Sequence, residues 1–227
     1  MNEEKLNKGF EIPREQIEDT IGSRLDGELI DYNTVISLKD ICEVHTMTVF
    51  RLDVLEKLIR KVPLRTESSD LVYPYEESKI EVYGREPKGF SIGQTFVHSR
   101  KLLNIMSDLE GRVFADFVTK GLSKMPPSQI YGKDQDRKKV VALYIPPIIE
   151  IQGKAVLIDG IHRSYICKAA GTTVNAVHIS HVSVPLPFNP ISWKEISVVS
   201  EKPPIENRYH GLRRDYFRDF RAIGIDG

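Results

Sequence analysis

The stretch KAVLIDGIHRSYICKAAG, from Lys154 to Gly171, decides the fold that we expect for this chain. It opens with an apolar run, Ala155 to Ile158, whose length and β-branched side chains are typical of a buried strand. Asp159-Gly160 then interrupts the run, because glycine adopts backbone angles that other residues avoid. A helical pattern follows and ends at Gly171, a common residue at helix C-termini. The stretch thus predicts a strand, a turn and a helix.

Further strand patterns flank this unit on both sides. VVALYI and IIEIQG precede it, with the turn Pro146-Pro147 between them, and TTVNAVHISHVSV follows it with alternating side chains. Leucine and isoleucine recur at helical spacing over residues 51–61, and Pro63 ends that helix. Two prolines and the charged run GKDQDRKK predict an exposed loop over residues 125–139. We therefore predict the α+β class, with a mixed sheet and flanking helices.

We expect three segments along the chain. Residues 1–88 form an N-terminal elaboration, whose boundary falls in a polar, proline-containing stretch that supports no long amphipathic element. Residues 89–184 form the core, where the strand and helix patterns are more regular. The proline-dotted residues 185–227 pack back on that core.

Composition narrows the class of protein. The 227 residues are 41% apolar and 28% charged, ordinary values for a chain with a buried core. Lysine plus arginine equals aspartate plus glutamate, at 32 each, which argues against general nucleic-acid binding but leaves a local basic patch open. No apolar run is long enough to span a membrane, and the N-terminus has no signal-peptide pattern. We expect a soluble, cytoplasmic protein without a membrane partner.

The cysteines and histidines predict no metal site. Cys42 and Cys167 are far apart in sequence and belong to no C-x-x-C pair, and Cys167 lies in an apolar helical stretch where a small buried side chain is expected. His178 and His181 are three residues apart on a predicted strand, so their side chains point to opposite faces.

The turn before the predicted helix is suited to an anion. A helix N-terminus presents unpaired amide hydrogens and a partial positive charge. Gly160 has no Cβ, so a phosphate can approach the backbone, while His162 and Arg163 place basic groups in the first turn. A structural interpretation stays open, in which Asp159 caps the helix, Gly160 makes the turn, and the basic side chains are solvated.

LIDGIHRSYICKAAG, followed by a strand, resembles the core motif of the ParB/sulfiredoxin superfamily, in which a strand leads into D-G-x-x-R and a helix. The close match covers residues 155–179, and a looser one extends over 89–184. Sulfiredoxin has a reactive cysteine where this chain has Ile161, and the arginine-rich ParB form of the motif is absent. The form with His162 is closer to the free serine kinases and to the DGQHR proteins linked to DNA modification.

The resemblance implies that Gly160, His162 and Arg163 bind the phosphates of a nucleotide, a nucleoside di- or triphosphate with Mg²⁺. It favours a phosphotransferase-type enzyme, such as an ATP- or ADP-dependent kinase acting on the hydroxyl of a small molecule. Glu110 occupies the position where kinases of this superfamily place a catalytic glutamate, before the motif. Asp159 is the second catalytic candidate, as a base or through magnesium. Both carboxylates also have structural interpretations, at a helix start and as a helix cap.

The alternative is a DNA-associated, nucleotide-gated ParB-like module of a modification, defence or partition system. Arginines and aromatic residues alternate near the C-terminus, where a short helix would leave the arginines outside to contact nucleic-acid phosphates. The candidates are Arg213, Arg214 and Arg218. No helix-turn-helix pattern follows the core, which weakens the partition version. A third hypothesis is a fold that keeps the anion site only as a structural or regulatory feature.

Overall fold

The computed structural model describes residues 9–25, 29, 31–65, 71–107 and 125–226. The strands are β1 (Glu11–Pro13), β2 (Thr34–Ile36), β3 (Glu43–Val49), β4 (Lys79–Arg85), β5 (Ser91–Ile92), β6 (Phe96–His98), β7 (Ser128–Lys133), β8 (Lys139–Tyr144), β9 (Ile148–Gln152), β10 (Lys154–Asp159), β11 (Val174–Ser180) and β12 (Ser197–Val199). The α-helices are α1 (Arg14–Ile21), α2 (Leu52–Arg60), α3 (Ser99–Ser107) and α4 (Ile161–Ala169).

Two five-stranded mixed sheets organise the described part of the chain, so the predicted α+β class is confirmed. The first has the order β1-β2-β8-β7-β3, and the second has the order β4-β11-β9-β10-β5. In the second sheet β9 runs antiparallel to β10 and parallel to β11. A short parallel pair, β6 with β12, lies beside them. The membership of this core in the ParB/sulfiredoxin superfamily stays a prediction.

The decisive stretch folds as its pattern predicts. β10 ends at Asp159, Gly160 makes the turn, and α4 leads into β11. Ile161 and Cys167 of α4 pack into an apolar cluster with Phe90 and Trp193. Cys167 is only 1% exposed, which confirms its expected burial.

A larger core joins both sheets. The buried face of α2 contributes Leu55, Leu58 and Ile59, which belong to the predicted pattern, together with Val54, which does not. Leu52, the first residue of that pattern, is 52% exposed. Strand residues of both sheets and the C-terminal residues Phe220, Ile223 and Ile225 complete this cluster. The C-terminal segment is therefore part of the core. Among the described helices, none is long and apolar enough to cross a membrane.

The predicted exposed loop over residues 125–139 is wrong in its first half. Residues 128–133 form β7, which lies between β3 and β8 and is almost completely buried. The segment SQIYGK shows no alternation because both faces of the strand are covered: Ile130 and Tyr131, which point to opposite faces, are each 0% exposed. Only the tight turn at residues 134–138 is an exposed loop.

The two sheets draw strands from more than one predicted segment. β4 belongs to the predicted N-terminal elaboration but pairs with β11 along its whole length. Conversely, β7 and β8 belong to the predicted core but form one sheet with β1, β2 and β3. The boundary near residue 88 therefore does not coincide with a break between the sheets.

Candidate functional site

The turn between β10 and α4 has a backbone conformation that requires glycine. Gly160 has a φ of 86° and occupies the N-cap position of α4, where no side chain caps the helix. A Cβ at this position would lie 2.7 Å from the Cβ of Pro147. The first amides of α4 thus lack a side-chain acceptor, and Asp159 does not provide the cap that the structural interpretation proposed.

Arg163 directs its hydrogen bonds to the protein itself. Its Nη1 donates to the carbonyl oxygen of Ile145 at 2.7 Å, and its Nη2 lies 3.4 Å from Oδ2 of Asp159. The guanidinium also lies over the ring of Tyr144, 5.1 Å from the ring centroid. Arg163 therefore anchors the first turn of α4 to the end of β8, rather than extending toward a ligand.

His162 joins α4 to β6. Its Nε2 accepts a hydrogen bond from the backbone N–H of His98 at 3.0 Å, which places the ring proton of the neutral form on Nδ1. Burial, followed by the positive charges of Lys101, His98, Arg163 and Lys202 in that order, lowers the pKa of His162 to about 3. The ring is thus neutral near pH 7. The same shift shows that positive charge is concentrated around this turn.

Asp159 is a carboxyl group in an environment that disfavours its charge. Burial raises its pKa, and it outweighs the opposing attraction of Arg163 and the hydrogen bond from the Gly160 amide. The carboxylate of Asp226 raises the pKa further, while Lys101 lowers it slightly. Asp226 is itself held by the hydroxyl of Ser37 and by the backbone N–H of Leu38.

A cavity of about 70 Å³ opens beside this carboxyl group. Its lining includes Asp159 and the start of α4, together with the polar side chains of Gln94 and Tyr209. Enclosed ligand sites usually measure about 300–1,000 Å³. This cavity therefore has room for a group of phosphate size but not for a whole nucleotide.

Sequence reasoning missed Gln94 and Tyr209 as residues of this site. The two lie opposite each other in an isolated β-bridge, although they are far apart in the chain. Phe188, which also lines the cavity, stacks on Tyr209 with ring centroids 5.4 Å apart. Gln94 and Tyr209 belong to no motif around the turn, so only their long-range pairing brings them to it.

The other catalytic candidate, Glu110, lies outside the described residues. Among the residues that the structure does describe, no group of three or more His, Cys, Asp or Glu side chains could hold a metal ion. His178 is buried and His181 lies in a turn with a φ of 59°, so these two histidines do not share a site on one face of a strand.

The C-terminal arginines do not form the predicted helix. Short 3-10 turns at Arg214–Tyr216 and Phe220–Ile223 replace it, with extended backbone between them. The expectation that Arg218 stays outside to contact nucleic acid is wrong, since it is 3% exposed and pairs with Glu150. Arg213 is exposed and lies over the ring of Tyr216, and Arg214 is exposed with an ion pair to Glu206.

We expect His178→Phe to reduce the loss of stability in acid. His178 is 1% exposed and its ring stacks on Tyr83. Among the described residues, neither of its ring nitrogens has a hydrogen-bond partner. Burial lowers the pKa of His178 to about 4, and the nearby backbone of Tyr83 offsets only part of this shift. Below about pH 6.5 the unfolded state binds a proton that the folded state excludes, so stability falls as the pH falls.

Phenylalanine keeps the stacked ring and removes this proton uptake. Urea unfolding measures the free energy of unfolding at pH 7 and at pH 5. The decrease between the two should be about 1–2 kcal/mol smaller in the variant than in the wild type. The same substitution at the exposed His210 serves as the control and should leave the pH dependence unchanged. An unaltered acid dependence in His178→Phe would contradict the assigned burial of a neutral ring.

No protein-family model, no curated protein and no solved structure matches this chain. The resemblance carried by residues 155–179 thus rests on the motif and on its place between a strand and a helix. Function has to be argued from the geometry of the turn, its charges and its cavity.

Proposed function

We propose that this chain is a nucleotide-binding enzyme of the phosphotransferase type, with its phosphate site at the Asp159–Gly160 turn. One observation carries the proposal: a partly buried carboxyl group with a raised pKa lines a cavity at the uncapped N-terminus of α4. Perturbed ionisable groups beside a cavity are typical of catalytic sites.

The surroundings of the turn favour an anion. The first amides of α4 have no side-chain cap, and a helix N-terminus carries partial positive charge. Lys101 and Lys202 add full positive charges close enough to act on His162. Because the cavity is small, only the terminal phosphate of a nucleotide enters it, and the remainder lies outside.

The predicted phosphate ligands acquire different roles in this proposal. Arg163 fixes the first turn of α4 to Ile145, and His162 fixes it to His98 of β6. Both residues therefore position the amides of the turn, whereas Gly160 and Lys101 face the bound phosphate. Loss of nucleotide binding in Arg163→Ala would therefore reflect a displaced turn as well as a lost phosphate contact.

Asp159 supplies the base in this proposal. A raised pKa brings a carboxylate closer to the pH at which general bases work best. It accepts the proton of the acceptor hydroxyl as the hydroxyl oxygen attacks the terminal phosphorus. The bond between that phosphorus and the bridging oxygen breaks, and the nucleotide leaves one phosphate shorter, with the electron pair on its new terminal phosphate. Mg²⁺ carried by the nucleotide phosphates would neutralise the charge on them. If Asp159 held that ion instead of acting as the base, Glu110 would have to accept the proton. Glu110, the position that the resemblance to the kinases favours, is the alternative base.

Calorimetric titration with ATP, ADP, CTP and GTP in the presence of Mg²⁺ tests the phosphate site. We expect one nucleotide to bind and Lys101→Ala to weaken it on the order of tenfold, the scale of one charge-assisted hydrogen bond. Arg100→Ala is the matched control, since Arg100 is exposed on the same helix and is not among the charges that shift the pKa of His162 or Asp159.

Turnover then separates the two carboxylates. Asp159→Asn should retain nucleotide binding and lose phosphoryl transfer, whereas Glu110→Gln should keep both if Asp159 is the base. The reverse result assigns the base to Glu110 and removes Asp159 from the chemistry. If none of the four nucleotides binds, the proposal is contradicted.

A further inference from the structure

A groove with a strongly cationic lining lies near the C-terminal end of α4, away from the Asp159–Gly160 turn. It has a volume of about 820 Å³, and five basic side chains line it. These five residues, which we call the cationic groove, are Arg85, Lys88, Lys154, Lys168 and Lys194. Among the described residues, no acidic one is part of its lining.

Five separate elements bring these charges together. Arg85 ends β4, Lys154 begins β10, and Lys168 lies in the last turn of α4. Lys88 and Lys194 come from the 3-10 turns Pro87–Gly89 and Trp193–Glu195. Such a convergence from distant parts of the chain differs from the solvated basic face of a single helix.

The carboxylates of the described residues do not pair with these charges. None of the five basic residues forms an ion pair with a described residue, and Arg85 instead donates from Nη2 to the carbonyl oxygen of Gly89 at 2.8 Å. Glu195 is next to Lys194 in the chain, but its carboxylate accepts the backbone N–H of Ser192 at 2.7 Å in a capping box. Like charges gathered without partners repel one another, and an anionic ligand relieves that repulsion.

The floor of the groove is fixed. Trp193 is almost buried, and its Nε1 donates to the carbonyl oxygens of Pro87 at 2.7 Å and Phe90 at 3.1 Å. The Nζ of Lys168 lies 5.8 Å from the centroid of the Trp193 ring. The basic side chains therefore border a preformed surface that holds the two 3-10 turns together.

We propose that the cationic groove binds the phosphodiester backbone of a nucleic acid. Its volume exceeds what a single phosphate fills, and its charges are distributed over five elements, as contacts to successive phosphates require. Its large apolar members, Phe90 and Trp193, are buried, and its third apolar residue is the small Ala155, so the described lining offers no large exposed apolar side chain for insertion into a lipid surface. The balanced charge of the whole chain shows that this concentration is local. The inference is independent of the proposed nucleotide site.

Fluorescence anisotropy with labelled oligonucleotides of about 20 nucleotides, single-stranded and duplex, tests this proposal. We expect binding that weakens steeply as the salt concentration rises from about 50 to 200 mM. The variant Lys88→Ala/Lys154→Ala should bind about tenfold more weakly. The slope of the logarithm of its binding constant against the logarithm of salt concentration should be shallower by about 2, one for each lost phosphate contact. Both side chains are exposed, so the thermal unfolding midpoint should not change.

The matched control is Lys79→Ala/Lys138→Ala, which removes the same charge from exposed positions outside the groove. It should bind nucleic acid as the wild type does. The proposal is overturned if neither oligonucleotide binds at low salt, or if the groove and control variants lose affinity equally. Two further outcomes overturn it in favour of another polyanion. One is that polyglutamate displaces the labelled oligonucleotide as well as, or better than, unlabelled oligonucleotide does. The other is that the protein binds anionic vesicles more tightly than oligonucleotides.

Calorimetry with nucleotides keeps the two proposals separate. The groove variant should retain the nucleotide binding of the wild type, and Lys101→Ala should retain oligonucleotide binding. A groove variant that loses both activities would instead place nucleotide binding in the groove and contradict the site at Asp159.

Discussion

Replacing Arg218 by methionine is expected to lower the free energy of unfolding by about 3–5 kcal/mol, because it leaves a buried carboxylate without its cation. Arg218 Nε lies 2.7 Å from Oε1 of Glu150, and its Nη2 lies 2.9 Å from Oε2. Both side chains are fully removed from solvent. This ion pair joins the C-terminal segment to β9 in the centre of the second sheet.

Two further donors show why Glu150 needs its partner. The hydroxyl of Tyr75 donates to Oε1 at 2.6 Å, and the side-chain amide of Gln152 donates to Oε2 at 2.8 Å. These neutral donors stay in the variant, but they cannot neutralise the charge. Burial, followed by the negative charge of Glu150, raises the pKa of Tyr75 well above its usual range, so its phenol stays protonated and remains a neutral donor.

Urea unfolding followed by the fluorescence of Trp193 measures the effect. Arg213→Met is the control, since Arg213 is exposed, and it should change stability by less than about 0.5 kcal/mol. The double variant Arg218→Met/Glu150→Gln should recover most of the loss, because no buried charge is left unpaired. An Arg218→Met protein within about 1 kcal/mol of the wild type would show that the ion pair is not buried as described.

Gly160→Ala should be the most damaging single-methyl change in the motif, at about 2–4 kcal/mol. A non-glycine residue at a φ of 86° carries backbone strain of about 1–2 kcal/mol. The added Cβ also lies 2.7 to 2.8 Å from three atoms of Pro147, including its Cα, so the backbone has to move. Overpacking of this kind usually costs about 1–3 kcal/mol.

Gly171→Ala separates the two causes. Gly171 has a φ of 67°, but a Cβ there would meet no atom within 4 Å. Its alanine variant should therefore show only the strain, about 1 kcal/mol. Urea unfolding of both variants gives the comparison, and equal losses would refute a tight approach between Gly160 and Pro147.

The sequence predicts elements whose signals are local. β10, the turn at Gly160 and α4 follow from an apolar run, a glycine and a helical period in consecutive residues. The helix α2 follows from the spacing of its leucines in the same way. β7 could not be predicted, because its burial depends on β3 and β8 on either side of it.

The candidate sites show the same limit. Arg218 looks like one more basic residue in an arginine-rich tail, and only Glu150, 68 residues earlier, explains its burial. Gln94 and Tyr209 reach the cavity through a long-range bridge. The cationic groove has no motif at all, since its charges come from five elements, and the zero net charge of the chain conceals it.

Amide chemical shifts of the isotope-labelled protein during titration with ADP and Mg²⁺ test the central claim most directly. We predict saturable shifts at the amides of Gly160, Ile161 and Arg163, where the uncapped helix start meets the cavity. The amides of Lys154 and Lys168 in the cationic groove should change little. Saturable shifts confined to those groove amides, or no shifts at the Asp159–Gly160 turn, would contradict a phosphate site at the start of α4.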